Sequence, residues 1–96
     1  MYSLSEIRKS LKSKKKQLAK KYPIESLAIF GSYARDEQTE DSDLDIIVEF
    51  NGAVGSKFIQ LADELEEAIG IKVDLVSKKG IKERYFNSIK SDLIYV

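Results

Sequence analysis

Ninety-six residues, 43% of them hydrophobic and 33% charged, make one small globular domain, residues 1–96, with a single core. The chain has no cysteine and no histidine. That excludes disulfides, thiolate or imidazole metal sites and Ser-His-Asp chemistry, and leaves carboxylates as the acid-base groups. The net charge of zero hides an asymmetry: residues 1–22 carry eight basic side chains against Glu6 alone, while the remainder holds eight basic against fifteen acidic. Such polarity suits docking onto a partner by complementary charge.

Taken in order, Ser3 to Lys21 reads as a helix. Ser3 and Glu6 have the spacing of a capping box, and Leu4, Ile7, Leu11, Leu18 and Tyr22 form an apolar stripe. Lys14, Lys15 and Lys16 interrupt that stripe. A solvated face, or one meeting an acidic partner, accounts for the lysines better than nucleic acid does. Pro23 ends the helix, because the residue before a proline avoids helical angles. Ile24 to Phe30 lacks alternation and reads as a strand buried on both faces. A short helix is expected over 33–38, then a polar loop ending at Asp41.

Leu44 to Phe50 is the second strand, and Asn51-Gly52 a turn. Ser56 is expected to cap a helix from Lys57 to Ile69, whose stripe is Phe58, Leu61, Ala62, Leu65 and Ile69; Gly70 stops it. Ile71 to Ser77 is the third strand, Ile81 to Lys90 a short helix, and Leu93 to Val96 an edge strand. The order α-β-α-β-α-β-α-β predicts an α/β domain, a small sheet with helices packed on it. No run approaches membrane length and no signal peptide is visible, so a cytoplasmic location is expected, with no membrane partner.

The stretch from Gly31 to Asp45, GSYARDEQTEDSDLD, joins the first two strands. A glycine directly after a strand lets backbone approach a ligand closely, and Ser32 fits an N-cap or a phosphate contact. Arg35 either reaches a phosphate or lies on the surface. Strand alternation puts Asp43 and Asp45 on one face, about 7 Å apart, and Leu44, Ile46 and Val48 on the other. Two such carboxylates repel unless a cation such as magnesium, which takes oxygen ligands and phosphates, lies between them. Taken alone, Asp-Ser-Asp also fits an ordinary solvated strand start. Asp74, in a cleanly alternating strand, supplies a third acid if the strands are neighbours.

Gly31-Ser32, Asp43-x-Asp45 and the later Asp74 together resemble the DNA polymerase β-like nucleotidyltransferase superfamily. The fuller text FGSYAR…DSDLDIIVEF is similar to its minimal nucleotidyltransferase (MNT) branch, which includes MntA-type antitoxins paired with HEPN toxins. The resemblance runs from about Ile24 to Val96. One departure is Asp36, where such proteins often carry glycine after the motif arginine; this puts a negative side chain near the presumed phosphate path. The resemblance implies a mixed sheet whose first two strands are antiparallel. It also implies attack on the α-phosphate of a nucleoside triphosphate, ATP, with release of pyrophosphate.

Under that resemblance Gly31, Ser32 and Arg35 bind the nucleotide. Asp43, Asp45 and Asp74 are catalytic and hold metal: two Mg²⁺ ions, with Mn²⁺ an alternative. Little of the chain is left over to build an acceptor pocket, so the acceptor is expected on another protein. The family suggests a HEPN-type toxin encoded nearby, modified with AMP on a hydroxyl, tyrosine foremost. The alternative is a non-catalytic antitoxin that masks its partner by binding it.

Overall fold

The computed structural model describes residues 3–96. Helix α1 runs Leu4–Leu18 and starts with the expected capping box: the Glu6 amide donates to Ser3 Oγ at 3.2 Å, and the Glu6 carboxylate accepts in return from Ser3. Ile7, Leu11 and Leu18 are buried. The helix ends three residues earlier than expected. Tyr22 then closes a turn under the core by donating its amide to the Leu18 carbonyl at 2.9 Å.

Strand β1 (Ile24–Phe30) and strand β2 (Leu44–Phe50) pair antiparallel. Helix α2 (Lys57–Ile69) then crosses over to strand β3 (Val73–Ser77), which pairs parallel with β2. A helical crossover is what a parallel pair requires, because a tight turn cannot reverse the chain twice. Helix α3 (Glu83–Ile89) leads to the edge strand β4 (Ile94–Tyr95), antiparallel to β1. The sheet order is β3-β2-β1-β4, a mixed sheet as the resemblance implied.

The two faces of this sheet differ. One buries Leu27, Ile29, Leu44, Ile46 and Val48 beneath α1 and α2, where Leu11, Leu61 and Leu65 are fully enclosed. The other buries Ala28, Phe30 and Ile47 beneath the partly exposed Phe86 and Ile89 of α3. β1 thus contributes to both cores, which explains its unbroken apolar run.

Four local expectations are corrected. Residues 33–38 form no helix; successive turns run from Ser32 to Asp36 and stop where Asp36 takes φ 57°. Ser56 makes no side-chain cap; α2 starts instead from backbone turns, Lys57 to Val54 and Phe58 to Gly55. β3 starts at Val73, and α3 spans Glu83–Ile89, with Lys82 at its N-cap making no side-chain cap while its carbonyl accepts from the Phe86 amide at 3.0 Å. Gly70 does end α2, in the left-handed conformation (φ 82°), its amide donating to the Glu66 carbonyl at 2.7 Å.

Candidate active site

The site lies where β1 ends and where β2 and β3 begin. Register sets Phe30 opposite Asp45, and Asp45 opposite Asp74. The three residues form a row across neighbouring strands, on the face that α3 covers. The cause is local. Leu44 and Ile46 are fully buried on the α1/α2 face, and alternation turns Asp43 and Asp45 to the other side. Asp74 alternates in the same way between buried Val73 and Leu75, and is exposed.

Gly31 follows Phe30 at φ 74°. A side chain there would be strained, and its first carbon would run into the Asp45 carboxylate. Glycine therefore leaves open the space beside Asp45. The turn that follows is fixed from within: buried Tyr33 plugs the main core, and the Arg35 and Glu37 amides donate to the carbonyls of Gly31 and Ser32 at 3.2 and 2.9 Å. No helix begins at Ser32, so its expected N-cap role is absent; it stands half-buried inside the turn.

Asp36 occupies the left-handed region that glycine enters freely and aspartate tolerates. The turn thus has the backbone angle a glycine would supply there, and the Asp36 side chain is exposed. On the far side of the loop, the Thr39 amide donates to Ser42 Oγ at 2.9 Å, which fixes the approach to Asp43.

Burial pushes the Asp45 carboxyl up to about 6. Repulsion from Asp74, a side-chain hydrogen bond with Asp74, and the charge of Asp43 add to the rise, while Arg35 opposes it. Arg35 is thus close enough to act on Asp45. Its guanidinium, however, is held by Glu37 at 2.7 Å and by Asp92 at 3.1 Å. Asp45 and Asp74 are brought together directly; Asp43 acts on Asp45 by charge. Among the described residues no three acidic side chains close into a ligating cluster.

The donor set nonetheless suits a hard cation. Asp45 and Asp74 face each other across β2 and β3, Asp43 adds its charge at Asp45, and Gly31 keeps side chains away from Asp45; magnesium takes such oxygen ligands and retains positions for phosphate. A cavity of about 780 Å³ lies at the other ends of β2 and β3, between Phe50, Val54 and Lys78. It contains none of these acids, and the chemistry of the side chains marks the site better than the hollow does.

Two site residues were not evident in the sequence. Tyr85 packs edge-on against Phe30, with ring centroids 6.4 Å apart at 86°. Burial raises its pKa, and the charges of Asp45 and Asp74 raise it further. An aromatic on an apolar stripe reads as core, so the sequence hides this placement. Asp92 holds Arg35 from 57 residues away, beyond any local pattern.

The nucleotidyltransferase domain family matches residues 4–96. The chain belongs to that family. It is 51% identical to MJ1379 of Methanocaldococcus jannaschii, with each chain fully covered. It is 38% identical to the protein adenylyltransferase MntA of Thermococcus cleftensis, over all of this chain and 98% of that one. A solved structure described as a minimal nucleotidyltransferase superposes with a TM-score of 0.82 at 31% identity, covering 97% of this chain and 95% of the other. The same fold recurs in a complex of tri-AMPylated Shewanella oneidensis HEPN toxin with MNT antitoxin. There the TM-score is 0.70 at 21% identity, over 93% of this chain and 70% of that one. As a nucleotidyltransferase, the chain is an enzyme whose family chemistry is displacement at a nucleotide phosphate.

Proposed function

We propose that this nucleotidyltransferase moves AMP from ATP onto a hydroxyl side chain, tyrosine foremost, of a partner protein, and that the partner is a HEPN-type toxin silenced by the modification. The observation that carries this is the juxtaposition of a side-chain-free backbone turn at Gly31 with the Asp45–Asp74 pair. The name of the Thermococcus relative and the presence of a tri-AMPylated toxin in a complex of the same fold support the choice of acceptor.

The residues divide the work as follows. The Gly31-Ser32 backbone receives the β- and γ-phosphates, where a side chain would collide with Asp45. Asp43, Asp45 and Asp74 would hold Mg²⁺, two ions in the full complement, which would supply charge neutralisation for the phosphates and the pyrophosphate leaving group. Asp74, the exposed member, faces the incoming acceptor and takes its proton. The acceptor oxygen bonds to the α-phosphorus, and the bond to pyrophosphate breaks. Arg35 screens Asp45 from the loop side and must leave Glu37 or Asp92 to touch a phosphate. Positioning and charge neutralisation supply most of the rate.

Masking without catalysis would draw support from a deformed loop at Asp36. Instead the loop keeps the backbone angle that glycine would supply. The test is dosage. Incubated with a HEPN toxin, ATP and Mg²⁺, substoichiometric amounts of the chain should inactivate the toxin and add one AMP mass per modified hydroxyl. The change should outlast removal of the chain. Neutralisation that needs one copy per toxin and no nucleotide would establish masking instead.

A further inference from the structure

The four described tyrosines have very different surroundings. Tyr22 is buried on the α1/α2 side and donates its hydroxyl to Glu64 at 2.6 Å. Tyr33 is buried in the same core. Tyr95 is exposed but lies on β4, paired with Ala28 on the far side of β1 from the acids. Tyr85 alone among them packs edge-on against Phe30, the residue that the register sets opposite Asp45 and, through it, Asp74. It is 44% exposed.

The geometry points to Tyr85 as a self-modification site: the chain adenylylates its own Tyr85 hydroxyl when ATP is bound and no partner fills the acceptor position. This rests on the adenylyl-transfer activity proposed above. The Phe30 ring fixes one edge of Tyr85 against the strand that ends in Gly31. The hydroxyl makes no hydrogen bond among the described residues, and the ring lies one strand position from Asp45 through Phe30. The exposed Asp74 is therefore shared between Tyr85 and any external acceptor.

The step balances without a further reactant. The Tyr85 phenolic oxygen bonds to the α-phosphorus of ATP, the bond to the β-phosphate oxygen breaks, pyrophosphate leaves, and the phenolic proton passes to Asp74 and on to solvent. Helix α3 can make the small adjustment this requires. It has no fully buried side chain and rests on the sheet through the partly exposed Phe86 and Ile89. The AMP then lies over the acids and blocks a second ATP, so the modification is self-limiting.

The experiment incubates the full chain with α-labelled ATP and Mg²⁺, with and without a HEPN toxin, and maps the label by peptide mass. The expected result without toxin is one AMP per chain on Tyr85, at a rate independent of protein concentration. The adduct should be lost in Tyr85→Phe, which keeps the ring packing, and unchanged in Tyr95→Phe. Label on the toxin with none on Tyr85 would overturn the inference and leave the proposed function standing. Label on the chain that persists in Tyr85→Phe would overturn it too. No label on either protein would remove both.

Discussion

The two faces of the sheet are built for different ends. Under α1 and α2 the side chains are apolar and enclosed, from Ile7 and Leu11 to Leu61 and Leu65. Under α3 one small apolar cluster, built on buried Ala28, Phe30 and Ile47, shares the face with Asp43, Asp45 and Asp74. Mutually repelling carboxylates cost stability, and only a fold secured elsewhere can hold them close together. One face supplies the stability that lets the other keep an electrostatically unfavourable group of acids.

The sharpest way to break that comparison is to cut into each face. Leu61→Ala, fully buried, should cost about 3 kcal/mol in denaturant unfolding, whereas Phe86→Ala should cost about 1 kcal/mol because α3 is half-exposed. Equal losses would mean that the stability is shared between the faces. Next in size, Gly31→Ala should lose about 2 kcal/mol from left-handed strain and the collision with Asp45. Urea melts check it; an unchanged midpoint would mean that the turn relaxes freely.

Asp45 gives a smaller, pH-dependent effect. Its carboxyl rises from 3.8 to about 6 on folding, so the fold favours its protonated form. Its contribution is complete below about pH 4 and is lost as pH climbs through 6. Asp45→Asn should therefore match the native metal-free chain near pH 4 and exceed it by about 1–2 kcal/mol at pH 7.5, allowing for solvent screening. Calorimetry at both pH values decides; a constant difference would refute the burial and repulsion at this carboxyl. Smallest of all, Asp36→Gly should gain about 0.5 kcal/mol, since relief at φ 57° is partly offset by glycine's extra unfolded freedom. A loss on melting would show that the Asp36 side chain stabilises the turn.

Much of this division was legible in the sequence because it rests on periodicity. Leu44-Asp45-Ile46 and Val73-Asp74-Leu75 alternate, so the acids had to share a face once β2 and β3 were neighbours. The capping box at Ser3 and the stop at Gly70 are local signals and form as expected. What was hidden depends on backbone angles or distant contacts. Nothing in the side chains of residues 33–38 announces that Asp36 turns left-handed and ends a helix before it starts. Tyr85 looks like any stripe residue until Phe30 is placed beneath it. Arg35 looks free until Asp92 arrives from the other end of the chain.

If the two faces divide the work in this way, the carboxylates are dispensable for folding and the proposed transfer depends on them. The most direct test is one preparation of the Asp43→Asn, Asp45→Asn double mutant, measured for melting temperature and for labelled AMP incorporated into a HEPN toxin. The double mutant should melt at pH 7.5 at or above the temperature of the native chain, with transfer reduced by at least about a thousandfold. Transfer within tenfold of native by a folded double mutant would contradict it.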